Sequence, residues 1–201
     1  MPAKKYHHGD LENALIQAGV DILFQEGIEG LSLRKVAKRV GVSYAAPYAH
    51  FKDRQSLIAA ISTEGFKQLY TTLDAAAAAH AGDPKQQLVE AAWAYIQFAM
   101  QNTAIFKIMF SGVLEKEKDY PAFVEISHKT FERVVEIVRA CQDAGVLRSA
   151  PPELMTVSVW GQLHGVISLA LEGQISHTVL DRFTIREIVS FGIEQMSLSK
   201  T

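Results

Sequence analysis

The sequence predicts an all-α protein of about nine helices, a small N-terminal three-helix bundle with a helix-turn-helix followed by a larger helical domain. Three observations carry that prediction. Apolar residues recur at i, i+3, i+4 and i+7 along most of the chain, the spacing of one helical face. No stretch alternates apolar and polar residues as a half-buried strand would. Glycines, prolines and small polar residues fall at the seams between the periodic stretches, where caps and stops belong.

The first helix carries Leu11, Ala14, Leu15, Ala18 and Ile22, with Asp10 as its expected N-cap and Gly27 as its stop. Ser32 is placed to cap a second helix with Leu33, Val36, Ala37 and Val40 on its inner face. The outer face of that helix is wholly basic, with Arg34, Lys35, Lys38 and Arg39, and Gly41 ends it. Next comes "GVSYAAPYAHF", a turn and a short helix with a proline inside. A proline in a helix interior costs about 3 kcal/mol, but with Ser43 or Tyr44 as cap Pro47 falls in the first turn, where little bonding is lost. A short, stiff helix is therefore expected, not a loop.

A longer helix starts near Asp53 and carries Leu57, Ile58, Ile61, Leu69 and Leu73 into the run Ala75–Ala79. "GDP" at Gly82–Pro84 breaks it. Asp83, Pro84 and Gln86 then match a cap, a first-turn proline and a capping-box partner for a helix with Leu88, Ala92, Trp93, Tyr95 and Phe98. A short apolar segment, Ile105–Phe110, and the charged loop "EKEKD" follow. Phe123, Ile126, Val134, Ile137, Val138 and Cys141 mark another helix, stopped by Gly145. "SAPPE" opens a helix from about Glu153 to Glu172, and a last one places Ile185, Ile188, Val189, Gly192, Ile193 and Met196 on one stripe. The domains expected are 1–56 and 57–201.

Composition narrows the function. The formal charge is −2 overall, yet residues 1–56 hold eight Lys/Arg against six Asp/Glu, so positive charge gathers where a phosphate partner would bind. The single cysteine allows no intrachain disulfide and fits a reducing compartment. The N-terminus has no apolar core of a secretory signal, and no run approaches about 18 uninterrupted apolar residues. A cytoplasmic protein without membrane contact is the expectation. His7 and His8 are adjacent, a poor geometry for one metal ion, and no metal or other cofactor is expected. No Glu-x-x-His pair, nucleophile elbow or phosphate-cradling glycine loop suggests an enzyme.

The stretch "GIEGLSLRKVAKRVGVSYAAPYAHFKDRQSLIAAI" resembles the DNA-binding domain of the TetR/AcrR family of transcriptional regulators, a likeness that extends back into "YHHGDLENAL". "WGQLHG" at Trp160–Gly165, with "NTAIFKIMF" and "AGVLRSAPPE", is similar to a branch with a Trp…His-Gly signature in its regulatory domain. The resemblance implies a DNA-binding set. Arg34 and Tyr44 would reach bases, with Ala45 and Ala46 against thymine methyl groups. Tyr48, His50 and Arg54 resemble the phosphate clamp, Ser32, Ser43 and Lys52 complete the DNA-binding set, and Lys4 and Lys5, with Tyr6, would form a minor-groove arm. Ala45, Ala46 and Pro47 depart from the commoner Gly, Ser/Thr and Leu of the family, and position 46 loses a hydroxyl. Specificity should then rest on Arg34, Tyr44 and DNA shape.

The Glu153–Glu172 helix is apolar nearly all round, with Val157, Trp160 and Leu171 on one side and Val159, Leu163, Ile167 and Ala170 on the other. Such a helix is buried on both faces, either within its own domain or against a second subunit. The resemblance implies a homodimer through the last two helices, which would set two recognition helices on a palindromic operator. Trp93, Phe98, Phe106, Met109, Phe110, Phe131, Trp160 and His164 are candidates to line a pocket for an apolar or aromatic effector, although a plain core is the commoner fate of such residues. The reading is a homodimeric repressor, released from its operator by that effector. The alternative is a helical protein-interaction module that has lost DNA binding.

Overall fold

The computed structural model describes residues 8–197, with side chains from residue 11 onward. Among these, nine α-helices run in chain order: α1 (His8–Gly30), α2 (Leu33–Val40), α3 (Arg54–Ala78), α4 (Pro84–Gln101), α5 (Thr103–Met109), α6 (Pro121–Asp143), α7 (Pro152–Leu171), α8 (His177–Leu180) and α9 (Ile185–Met196). Two 3-10 turns, Ala46–Ala49 and Glu117–Asp119, lie between them. The described residues form no strand, and Leu147 and Ser197 make a single isolated antiparallel bridge.

Several boundaries follow from side-chain chemistry. Ser32 Oγ accepts from the Lys35 amide at 3.3 Å, and Gly41 ends α2 at φ 78°, a left-handed conformation that a side chain would strain. At α3, Asp53 and Ser56 cap each other: the Ser56 amide donates to Asp53 Oδ1 at 2.8 Å and the Asp53 amide to Ser56 Oγ at 3.0 Å. Thr184 and Glu187 form a full capping box at α9.

Three local expectations need correction. Asp10 lies inside α1, whose backbone is already helical at His8, while Gly27 does break the helix with φ 69°. Asp83 caps α4 through the Gln86 amide at 3.0 Å, but the Gln86 side chain turns to Glu90 at 2.9 Å, so the capping box is only half made. The proline-containing helix is a single 3-10 turn. Pro47 has no N–H to donate to the Ser43 carbonyl, which instead accepts from Ala46 at 3.0 Å, and the chain winds with i→i+3 bonds.

The described chain divides into two compact units. The first joins residues up to Lys67 with Asn102–Ser127. Leu15, Ile22, Leu31, Val36, Leu57, Ile58 and Ile61 form its core, and α5 packs against α1. Phe66, Phe106, Phe110 and Phe123 add an aromatic cluster, with ring centres 5.0–5.6 Å apart for the pairs in contact. The second unit joins Gln68–Gln101 with residues from His128 onward. There α4, α7 and α9 pack on one another around Tyr95, Ile96, Val159, Leu163, Ile167 and Ile193. Helix α7 is long and apolar enough to cross a membrane by length and composition alone, but Thr156, Ser158, Gln162, His164 and Ser168 are spaced along it.

Candidate nucleic-acid interface

The first unit presents a basic, aromatic surface built by α2 and the turn after it. Leu33, Val36 and Ala37 are buried, so helical periodicity turns Arg34, Lys35, Lys38 and Arg39 outward, and all four are exposed. Lys35 pairs with Glu26 at 2.5 Å, a hydrogen bond that holds this carboxylate below its usual range, and Arg39 donates to Gln25 Oε1 at 2.5 Å. Arg34 is engaged differently. Its guanidinium lies over the ring of Tyr44, 5.1 Å from the centroid, in a cation–π contact that joins the start of α2 to the turn that follows it.

Tyr44 and Tyr48 are 53% and 57% exposed, which is unusual for aromatic side chains and leaves both hydroxyls accessible to a partner. Ser43, Ala45 and Lys52 are also exposed, Ser32 and Ala46 half-buried, while Pro47 and Phe51 point into the core. His50 and Arg54 turn inward. The His50 side chain is only 8% exposed, with Nδ1 3.6 Å from Glu12 Oε2. Arg54 donates through Nε to the Leu31 carbonyl at 3.0 Å and through Nη2 to the Ile28 carbonyl at 2.5 Å. Lys4 and Lys5 lie outside the described residues.

The candidate pocket residues divide between the units. Phe106, Met109 and Phe110 belong to the first, where Phe106 and Phe110 are part of the aromatic cluster. Trp93, Phe98, Phe131, Trp160 and His164 belong to the second. There the structure adds a residue that sequence reasoning left in the core. Tyr95 Oη accepts from Trp160 Nε1 at 3.0 Å and bonds His164 Nδ1 at 2.9 Å, so a phenol on α4 joins both residues of the Trp…His-Gly signature on α7. Burial pushes the Tyr95 phenol well above its ordinary pKa and the His164 imidazole below its own. Both favour the neutral pair. A tyrosine in the middle of an apolar helix was the available signal, since a buried hydroxyl needs a partner.

One face of α7 stays uncovered. Met155, Thr156, Val159, Leu163 and Ile167 are buried, whereas Leu154 (64%), Val157 (51%), Leu169 (50%) and Trp160 (37%) are exposed. Gly161 and Gly165 also face open space. On α9, Gly192 packs closely against Gln162 of the same chain, and Phe191 is the large apolar residue turned outward.

Comparison with known proteins agrees with this arrangement. Residues 15–61 match the model of bacterial regulatory proteins of the tetR family, and residues 88–190 match that of the tetracyclin repressor-like C-terminal domain. The class A tetracycline repressor from transposon 1721 of Escherichia coli is 40% identical over 50 residues, 25% of this chain and 23% of the repressor. The uncharacterized HTH-type transcriptional regulator YobS of Bacillus subtilis (strain 168) is 24% identical over 111 residues, 55% of this chain and 57% of that protein. The matches thus span under two thirds of these relatives. A solved protein of unknown function from Rhodococcus sp. RHA1 is similar along nearly the whole length, with TM-score 0.82, 29% identity, and coverage of 96% of this chain and 97% of that one.

Proposed function

Because the chain belongs to the tetR family of bacterial regulatory proteins, we propose that it is a cytoplasmic homodimeric repressor that binds a palindromic DNA operator and releases it when a small apolar or aromatic effector binds. The observation that carries the reading is the surface of α2 and its following turn: four exposed cations, a capped helix start, and Arg34 stacked on an exposed Tyr44. Arg34 and Tyr44 read base edges, Ala45 and Ala46 allow close approach, and Ser32, Ser43, Tyr48 and Lys52 meet phosphates. Lys4 and Lys5 belong to the same proposed DNA-binding set. His50 and Arg54, turned to protein groups, support this surface from behind.

The uncovered face of α7, with Phe191 of α9, is the dimer contact. Its exposed leucines, valine and tryptophan share one helix, and Gly161 and Gly165 give a second helix room to approach. Two copies then set their reading turns about 34–36 Å apart, one turn of duplex. For the effector, the second unit supplies the candidates Trp93, Phe98, Phe131 and Trp160, and a polar point in the Tyr95–His164 pair. Repression ends by population shift, the effector favouring an arrangement whose reading turns no longer match the half-site spacing.

The test is selection from a random duplex pool, followed by titration of the winner at two salt concentrations. A palindromic winner, bound by two protomers with affinity falling steeply with salt, is expected. Absence of any enriched sequence would overturn the reading and favour a protein-interaction module.

A further inference from the structure

Helix α1 breaks at Gly27, and the corner that follows, Ile28 to Leu31, must turn the chain into α2 within four residues. The break leaves carbonyls without helical partners, and unmatched carbonyls in a packed corner are costly. The Leu31 amide donates back to the Ile28 carbonyl at 3.2 Å. Gly30 is buried so tightly that a Cβ there would sit 2.4 Å from Glu26 Cβ, and Glu26 is tied to Lys35 of α2. The remaining tie comes from twenty-three residues downstream. Arg54, the first residue of α3, holds the Ile28 and Leu31 carbonyls on Nη2 and Nε of one planar guanidinium. Ser32 and Arg34 follow directly from that corner.

We infer that Arg54 is a positioning residue for DNA reading: its guanidinium chelates the Ile28 and Leu31 carbonyls, fixes where α2 begins, and thereby aims Arg34, instead of serving as a phosphate contact. Resemblance to the family led to the phosphate role. The geometry favours the other use, because one bidentate edge of the guanidinium, Nε with Nη2, is engaged by two backbone carbonyls. A lysine could keep the charge but offers no second donor in a fixed plane, so it cannot bridge two carbonyls in this way. The inference rests on the DNA-binding reading above.

Three variants test it: Arg54→Lys, Arg54→Met and Arg34→Ala, each titrated with the selected operator duplex and with a scrambled duplex of the same length. Amide hydrogen exchange at Leu31 and Leu33 is followed without DNA. Both Arg54 variants should lose about tenfold or more in the operator-to-scrambled affinity ratio, the scale of one base-reading arginine. Scrambled-duplex affinity and its salt slope should stay near wild type, and Leu31 should exchange faster. Arg54→Met combined with Arg34→Ala should lose no more of that ratio than Arg34→Ala alone, since both act through one contact. Full retention by Arg54→Lys, with a drop in salt slope of about 0.9 in Arg54→Met on both duplexes, would mark a phosphate contact and overturn the inference. Equal loss on both duplexes would reduce Arg54 to general stability and also overturn it. If the wild type binds no duplex, the DNA reading fails by itself, and unchanged exchange in Arg54→Lys would still sink the clamp.

Discussion

Tyr95→Phe removes one oxygen and breaks two bonds. In the native chain that oxygen accepts from Trp160 Nε1 at 3.0 Å and bonds His164 Nδ1 at 2.9 Å. Phenylalanine fills nearly the same volume, so no cavity is added, and the cost is that of polar groups left without this partner. A buried donor or acceptor stranded in this way costs about 1–3 kcal/mol. Trp160 is 37% exposed and His164 half-buried, so water recovers part of each loss. The lower end of the range applies, about 1 kcal/mol for each bond and about 2 kcal/mol together. For a chain of this length that corresponds to roughly 4–8 °C in Tm.

Urea unfolding is the assay, at one fixed protomer concentration so that association contributes equally to both proteins. The Tyr95→Phe/Trp160→Phe double-mutant cycle then isolates the Trp160 bond, with a coupling of about 1 kcal/mol expected for contacting residues. A Tyr95→Phe protein within about 0.3 kcal/mol of wild type, together with an additive cycle, would refute the argument: the two bonds would then do nothing that water does not.

Three further outcomes are expected. Burial lowers the His164 pKa below its unfolded value of about 6.5, so the unfolded chain binds more protons in the window just beneath that value. Stability should therefore be full above about pH 6.5 and decline as pH falls through the window, and His164→Gln should flatten this part of a pH series of urea midpoints. Gly65→Ala would place a Cβ 2.5 Å from both Ile105 Cγ2 and Met109 Sδ. Better helix propensity returns about 1 kcal/mol, but overpacking against a branched isoleucine costs about 1–3 kcal/mol, so net destabilisation in thermal unfolding is expected. Val157→Glu puts a charge on the exposed face of α7, and sedimentation should show monomers with unchanged helical circular dichroism.

Much of the fold was legible because its signals are local. Ser32 before an apolar-periodic run and Gly41 after it describe α2 completely, since a cap and a left-handed stop are matters of a few residues. Asp83–Pro84 worked equally well, yet Gln86 did not close its box, because Glu90 one turn on competed for its amide. The exposed part of the site was readable for the same reason: burying Leu33, Val36 and Ala37 forces Arg34, Lys35, Lys38 and Arg39 outward. Nothing local reveals what the long side chains do. Arg54 and its two carbonyls are 23 and 26 residues apart, and Tyr95 lies 65 and 69 residues from Trp160 and His164. Such pairings exist only once the chain has folded.

If Arg34 reads bases as proposed, Pro47 is the residue that moves that function out of the turn and onto α2. Without its N–H the turn winds on 3-10 bonds from Ser43 to Ala46 and Ala45 to Tyr48, and the first i→i+4 bond, Phe51 to the Pro47 carbonyl at 2.8 Å, comes only at the end. The outward residues of so short an element are Tyr44, Ala45, Tyr48 and Ala49, which offer two phenol hydroxyls and no cation. A reading surface of that kind has little with which to grip a guanine edge, where arginine pairs best. The missing group is supplied from the neighbouring helix, by Arg34 laid across Tyr44. Its aim is then set by where α2 starts, and that start is fixed by a corner held from α3. On the proposed reading, base discrimination depends on the α1–α2 corner as much as on the turn that follows α2.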